Sequence, residues 1–171
     1  MIVVCDAVSG FEARIFKGHT GMVNSLAWLD ETKIVSCSED KSIRIWSMED
    51  GACLKVLSCD SPVYTIASND NVIAAGCQDG KIKLFALNES GDWEEIQSES
   101  PLSCGRGLPV TTIALKDTML VAGCRDGTIK IFKPNESRDW VEIQSEPPLM
   151  VDGDVSTLDF SPCGTKIAAT S

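Results

Sequence analysis

The sequence predicts an all-β protein assembled from copies of one short unit. Residues 38–46 align without gaps on residues 77–85 and 124–132. Within each copy apolar and polar residues alternate, as in Ile43, Arg44 and Ile45, which is the period of a strand with one buried face. β-branched residues dominate the apolar runs, and no segment has sustained helical spacing. We therefore expect antiparallel strands joined by short turns.

The repeat spacing indicates the four-stranded blades of a β-propeller. The turn aspartates recur at intervals of 39 and 47 residues, at Asp40, Asp79 and Asp126, close to the roughly 40 to 45 residues of one blade. A valine followed three residues later by an aliphatic residue opens each unit, at Val23, Val63, Val110 and Val155. The Asp-Lys and Asp-Gly steps between apolar runs predict tight hairpin turns.

The repeats divide residues 1–171 of this single domain into four blades' worth of strands. The expected parts are a half-blade of third and fourth strands at 1–17, blade 1 at 18–58, blade 2 at 59–103, blade 3 at 104–150, and a half-blade of first and second strands at 151–171. Ile2 aligns with Ile43 of blade 1, and Ile167 aligns with Ile34. The two half-blades are thus complementary parts of one blade.

The complementary halves raise the question of how the ring closes. Unpaired strand edges invite aggregation, so we expect each half-blade to find its complement. A homodimer that closes one eight-bladed ring with two composite blades is favoured, because four blades in one chain would each have to turn a quarter circle, and packed interiors tolerate little void. A four-bladed monomer and a piece of a longer propeller remain open alternatives.

Blade 1 resembles a complete WD repeat. It contains Gly18-His19, an inner strand ending at Trp28, the aspartate of the turn, and Trp46-Ser47 where the family has Trp-Asp. The segment 160–164, Phe-Ser-Pro-Cys-Gly, is similar to another turn of that family.

The resemblance implies a hydrogen-bonded structural set within blade 1. Its members would be His19, Ser36 or Ser38, Asp40 and Trp46, with Asp79 and Asp126 as the turn aspartates of the next blades. Phe85 and Phe132 replace the tryptophan in blades 2 and 3, and neither blade has a Gly-His pair. We do not expect the full set there.

The resemblance also implies a non-catalytic scaffold for proteins or peptides. Recognition in this family commonly uses the face that carries the turns between second and third strands. The candidate residues on that face are Thr20, Met22, Glu39, Gln78, Arg106 and Arg125. A self-associating structural unit with no separate ligand is the alternative. The single histidine and the lack of a nucleotide-binding motif disfavour an enzyme, a cofactor or a zinc site.

Charge and hydropathy restrict the partner and the location. The net charge of −10 disfavours nucleic acid, which is bound largely through Lys and Arg, and favours a basic peptide or protein. No apolar run approaches the roughly 20 residues of a membrane span, and no secretory signal is recognisable. A cytoplasmic location is expected, with the nucleus as an alternative.

Two groups of residues permit more than one interpretation. The eight cysteines include no Cys-x-x-Cys pair and are expected to be reduced. Cys37, Cys77 and Cys124 are interpreted as one repeated position, either a small buried apolar site or, less favoured, a shared metal site. Trp93 and Trp140 lie in closely repeated segments and either pack beside an outer strand or form an exposed binding pair.

Overall fold

Only strands, turns and irregular segments occur in the part of the chain that the structure describes. A computed structural model describes residues 1–5, 7, 14–69, 71–96, 101–105 and 107–171. Within those ranges no helix is long and apolar enough to cross a lipid bilayer. The prediction of an all-β chain with antiparallel four-stranded sheets is confirmed.

The N-terminal sheet has two strands, and the first complete blade follows it. Strands β1 (Ile2–Val4) and β2 (Arg14–Phe16) pair with each other. Blade 1 has the order β3-β4-β5-β6, formed by β3 (Val23–Asp30), β4 (Lys33–Ser38), β5 (Ser42–Ser47) and β6 (Cys53–Ser58). The register places Ile34 opposite Trp46 and Cys37 opposite Ile43.

Blades 2 and 3 repeat this topology. Blade 2 consists of β7 (Val63–Ser68), β8 (Val72–Cys77), β9 (Ile82–Leu87) and β10 (Trp93–Glu95). Blade 3 consists of β11 (Val110–Lys116), β12 (Met119–Cys124), β13 (Thr128–Pro134) and β14 (Trp140–Ile143), and β15 (Leu149–Met150) also pairs with β13. Lys41, Gly80 and Gly127 occupy the same turn position with φ of 63°, 82° and 85°. Two of the three are glycine because that conformation disfavours a Cβ.

The C-terminal sheet also has two strands, β16 (Thr157–Phe160) and β17 (Ile167–Thr170). Among the described residues, β17 pairs with β16 and β1 pairs with β2, and the two half-sheets do not pair with each other. The structure therefore does not show the ring closure within one chain that a four-bladed monomer requires.

The core lies between neighbouring sheets. Blade 1 contributes Val35 and Ile45 to one buried cluster, and blade 2 contributes Ile66 and Phe85 to the same cluster. A second cluster joins blades 2 and 3, a third joins the N-terminal half-blade to blade 1, and a fourth joins blade 3 to the C-terminal half-blade. Because side chains alternate along a strand, the first strands of blades 1, 2 and 3 each contribute to two of these clusters.

The cysteine interpretation is wrong in two respects. Cys77 and Cys124 lie opposite Val63 and Val110, but the residue opposite Val23 is Ser38, so Cys37 is one residue out of the repeated position. Cys104 and Cys124 are joined by a disulfide, so these two thiols are not reduced. Cys104 follows blade 2 and Cys124 ends a strand of blade 3, and sequence spacing gives no sign that such positions meet.

Trp93 and Trp140 are both buried in clusters between blades. Their rings fill space beside the outer strands β10 and β14, which these residues begin. The packing interpretation is confirmed, and the exposed binding pair is wrong.

Candidate functional site

A continuous chain of hydrogen bonds links the third strand of blade 1 to the turn between its second and third strands, by way of the second strand and the segment before the first. The indole Nε1 of Trp46 donates to Ser36 Oγ at 2.9 Å. Ser36 Oγ lies 2.8 Å from His19 Nε2, and His19 Nδ1 lies 2.9 Å from Asp40 Oδ2. Because an ionised carboxylate only accepts, Nδ1 carries the proton, and Nε2 accepts from the serine hydroxyl. The chain therefore runs in one direction, from indole to carboxylate.

Asp40 also holds the backbone around the turn. Its Oδ2 accepts the Thr20 N–H at 2.9 Å, and its Oδ1 accepts the Ser42 hydroxyl at 2.6 Å and the Ser42 N–H at 3.0 Å. Burial opposes ionisation of Asp40, but the hydrogen bonds from Ser42, Thr20 and His19 outweigh it and hold the pKa of this carboxyl well below its usual range. Burial lowers the pKa of His19 despite the neighbouring carboxylate. Both groups therefore favour the ionisation states that the chain needs at neutral pH.

The order Ser36, His19, Asp40 matches the connectivity of a Ser–His–Asp catalytic triad. In a hydrolase the serine oxygen must reach a substrate carbonyl. Ser36 is fully buried, and its oxygen already accepts the indole N–H. This arrangement stabilises blade 1 and leaves no room for nucleophilic attack at Ser36.

The structure selects Ser36 over Ser38 as the serine of the set. Both side chains are buried on one face of β4, as their spacing of two dictates. Ser38 Oγ accepts only the Asp40 N–H, at 3.1 Å, among the hydrogen bonds that involve its side chain in the described residues.

Blades 2 and 3 have different residues at the matching positions. Ala75 lies opposite Lys83 and Ala122 lies opposite Lys130, as Ser36 lies opposite Arg44. Alanine and phenylalanine together thus replace the serine and tryptophan of blade 1. Asp79 Oδ1 accepts the Lys81 N–H at 3.2 Å, and Asp126 Oδ1 accepts the Thr128 N–H at 3.0 Å. These aspartates keep the turn role of Asp40.

Three of the candidate partner residues, Glu39, Gln78 and Arg125, lie at equivalent places on one edge of the blades. Glu39, Gln78 and Arg125 each donate a backbone N–H across the start of the first strand, to Met22, Pro62 and Pro109 respectively. Their side chains are exposed, as are those of Thr20 and Met22, and Arg106 lies outside the described residues. Arg125 forms an exposed ion pair with Asp154 at 3.5 Å. This edge combines both signs of charge.

The opposite edge of the blades carries the acidic turns. First-to-second and third-to-fourth turns lie together there because the strands are antiparallel. Exposed acidic side chains in these turns are Glu31, Glu49, Asp50, Glu89, Asp92 and Glu136. A contribution of the net negative charge to recognition is therefore expected on this edge, which the sequence alone did not single out.

The inner strand of blade 1 has an exposed apolar face. Leu26 is 48% exposed, whereas the matching residues Ile66, Ile113 and Leu158 are 5%, 7% and 9% exposed. Trp28, two residues further on the same face, is 54% exposed. Among the described residues the sheet before blade 1 consists of β1 and β2, which match third and fourth strands, and Leu26 is not covered by first and second strands as its counterparts are.

No group of three or more His, Cys, Asp or Glu side chains that could hold a metal ion occurs in the described part of the chain. Cys37 packs in the buried cluster between blades 1 and 2, where burial raises the pKa of its thiol to about 12.

A family model described as "WD domain, G-beta repeat" matches residues 10–47, 51–85 and 102–133. Among curated proteins, "Protein transport protein SEC13" of Chaetomium globosum is 35% identical over 107 residues, which are 54% of this chain and 37% of that protein. The Neurospora crassa protein of the same description is 32% identical over 105 residues, which cover 54% of this chain and 34% of that protein. The chain thus matches about a third of the length of these relatives.

Solved structures with a similar fold include two designed proteins. The computationally designed Ika4 protein superposes with a TM-score of 0.69 at 22% identity, covering 92% of this chain and 96% of that one. The designed Ika8 protein superposes with a TM-score of 0.70 at 22% identity, covering 90% of this chain and 44% of that one. At this identity the likeness concerns the fold alone.

Proposed function

The chain belongs to the WD-repeat family, and we propose that it is a non-catalytic scaffold that binds proteins or peptides. The buried Ser36–His19–Asp40 chain supports this proposal, because these side chains hold blade 1 together and present no reactive group to solvent. The exposed apolar face at Leu26 and Trp28 is the observation that carries protein binding, and its occupant is either a separate partner or a second copy of the chain. We propose a cytoplasmic or nuclear location, as for many soluble scaffolds.

The proposed ligand surface for a separate partner includes both edges of the blades. Thr20, Met22, Glu39, Gln78, Arg106 and Arg125 remain the candidates on one edge. A basic peptide is the favoured ligand, and the acidic turns at Glu49, Asp50 and Asp92 on the opposite edge suit it better than the mixed charges around Arg125. The test is a peptide array probed with the whole chain at two salt concentrations. Retention of basic peptides that weakens with salt supports the proposal, and retention of acidic peptides alone overturns it.

Self-assembly is a second candidate function, favoured by the unpaired half-sheets. We propose that two copies close one eight-bladed ring, in which β16 and β17 of one copy complete the blade begun by β1 and β2 of the other. The register follows from blade 1, where Ile34 lies opposite Trp46 and Cys37 opposite Ile43. The equivalent pairs are Ile167 with Cys5 of the second copy, and Thr170 with Ile2 of the second copy.

The faces that would meet have matching apolar surfaces. Ile66, the counterpart of Leu26, shares a buried cluster with Val35 of the preceding blade. Because Ala168 aligns with Val35, Leu26 of one copy would pack on the small Ala168 of the other. Val3 and Ile15, which are exposed on one face of the N-terminal half-sheet, would cover Ile129 and Ile131 of the other copy. Ile43 and Ile45 of blade 1, which match Ile129 and Ile131, are already buried between complete sheets. Two equal interfaces of this kind give a closed two-fold assembly.

The test is the mass of the purified chain in solution, by light scattering on a sizing column. A mass near twice 18.4 kDa is expected for the dimer. Leu26→Asp should reduce the mass to that of one chain, because a carboxylate would be buried against the second copy. Leu54→Asp is the matched control, because Leu54 is 51% exposed on the outer strand β6, away from the proposed seam. A wild-type mass near 18.4 kDa would overturn the assembly.

A further inference from the structure

Two pairs of cysteines occupy the same two positions at successive junctions between blades. Cys59 donates its N–H to Lys41 O at 2.8 Å, and Cys104 donates its N–H to Gly80 O at 2.9 Å. Both cysteines thus lie after the fourth strand of a blade and bond to the matching residue of that blade's second-to-third-strand turn. Cys77 and Cys124 each end the second strand of the blade that follows. Each lies opposite the valine that begins the first strand of its own blade, Val63 and Val110 respectively. The Cys59–Cys77 pair is thus the structural counterpart of the Cys104–Cys124 disulfide.

Cysteine is present at both positions of a junction or at neither. At the junction before the C-terminal half-blade, Val151 donates its N–H to Gly127 O at 3.0 Å and so takes the place of Cys59, while Ser171 aligns with Cys77. At the junction before blade 1, the second-strand position is Ser38, opposite Val23. At this junction the residue that aligns with Cys59 is Gly18. The two cysteine positions therefore vary together along the chain.

The environment of Cys59 and Cys77 gives the two thiols different reactivities. Both are buried, and their side chains are hydrogen-bonded to each other. The hydrogen bond from Cys77 lowers the pKa of Cys59, and the nearby Lys83 ammonium adds to this, against the opposing effects of burial and of the Glu95 and Asp60 carboxylates. The same hydrogen bond, together with burial, raises the pKa of Cys77. Cys59 is thus the better nucleophile, and it adjoins the exposed Asp60 at the protein surface.

We propose that Cys59 and Cys77 form a redox pair that closes to a disulfide between the segment after β6 and the end of β8. The oxidant is a small disulfide such as glutathione disulfide. The Cys59 thiolate attacks one of its sulfurs, which breaks the S–S bond, forms a mixed disulfide and releases one glutathione thiolate. Cys77 then loses its proton and attacks Cys59 Sγ, which releases the second glutathione. Two protein thiols are oxidised, and one glutathione disulfide is reduced to two thiols.

The consequence is the same covalent link at two successive connections between blades. With both bonds formed, the segment that follows blade 1 is joined to the second strand of blade 2, and the segment that follows blade 2 is joined to the second strand of blade 3. Opening or closing the Cys59–Cys77 bond would then change the rigidity of the junction beside the proposed partner edge, where Gln78 follows Cys77. The inference goes beyond the proposed function and does not depend on the oligomeric state.

The experiment is thiol mapping of the native chain at graded ratios of glutathione disulfide to glutathione. The protein is acid-quenched, alkylated under denaturing conditions without reduction, and cleaved with trypsin. One tryptic peptide, residues 56–81, contains both Cys59 and Cys77, whereas Cys37 falls in the peptide 34–41. In the oxidised protein we expect peptide 56–81 to carry no alkyl group and to have lost two hydrogens. A peptide 56–81 that stays doubly alkylated in pure glutathione disulfide, or one cross-linked to 34–41, overturns the proposal.

Single variants test the separate roles of the two thiols. In Cys77→Ser the mixed disulfide on Cys59 cannot be resolved, so glutathione should remain attached to peptide 56–81. In Cys59→Ser the buried Cys77 should stay a thiol that glutathione does not modify. Cys53→Ser is the control, because Cys53 is exposed and outside both pairs, and peptide 56–81 should oxidise as in the wild type. Equal glutathionylation of the two pair variants would contradict the assigned roles.

Discussion

The hydrogen bond between Trp46 and Ser36 provides a quantitative test of what holds blade 1 together. Ser36→Ala removes the acceptor of the buried indole N–H and the donor to His19 Nε2. Leaving a buried polar group without a partner costs about 1–3 kcal/mol, so with two affected groups we expect a loss of about 2–6 kcal/mol. For a chain of this size that corresponds to a fall in Tm of roughly 4–24 °C.

The neighbouring blades indicate how this loss can be recovered. Blades 2 and 3 combine alanine and phenylalanine at these two positions, and Ala75, Phe85, Ala122 and Phe132 are all buried. Trp46→Phe alone removes the N–H and part of the ring, at a cost of about 2–3 kcal/mol. In Ser36→Ala/Trp46→Phe no indole N–H is left without an acceptor, and only His19 Nε2 still lacks its donor. The double variant should therefore cost about 1–2 kcal/mol less than the sum of the single variants.

The assay is chemical denaturation of the wild type, Ser36→Ala, Trp46→Phe and the double variant at one protein concentration, monitored by fluorescence or circular dichroism. Ser38→Ala combined with Trp46→Phe is the matched control, because Ser38 is an equally buried serine on the same strand that does not bond the indole. These two changes should add within about 0.5 kcal/mol. If the Ser36 and Trp46 costs are equally additive, the hydrogen bond is not the source of the stability, and the reasoning is refuted.

Further predictions concern backbone strain, pH and thiol reactivity. Gly80→Ala would place a Cβ 2.6 Å from Leu108 O at a φ of +82°, and it should lower the free energy of unfolding by about 2–4 kcal/mol. Lys41→Gly at the matching turn should stay within about 1 kcal/mol of the wild type. Equal losses of the two variants in chemical denaturation would contradict this. Burial keeps the His19 pKa below its ordinary 6.5, so the unfolded chain binds a proton that the folded chain does not, and stability should fall as the pH drops below 6.5. The lowered pKa of Asp40 should extend that loss below pH 3.8, and a Tm that does not change from neutral pH down to about 5 would exclude the His19 part. Hydrogen bonds from Ser161 and Thr165 lower the pKa of the exposed Cys163 thiol to about 7, so the rate of its alkylation should rise as the pH passes through that value. A rate that rises only near pH 9.0, as for an ordinary thiol, would contradict this assignment.

The sequence by itself determined the strands, the repeat and the register within each blade. Alternation at Ile43 and Ile45 predicts a half-buried strand because side chains on a strand point to opposite faces in turn. The repeated turn aspartates then align the blades. These are local properties, and the observed pairing of β4 with β5 follows them.

Only the tertiary structure decided which residues meet across two sheets. Strand period places Ser36 and Ser38 on one face, but the position of His19 selects Ser36. Spacing along the chain could not join Cys104 to Cys124, because their proximity depends on how one blade packs against the next. The exposure of Leu26 depends in the same way on the strands that precede blade 1. Contacts within a sheet follow from a period of two along the chain, whereas contacts between sheets depend on how the side chains of two separate surfaces fit together.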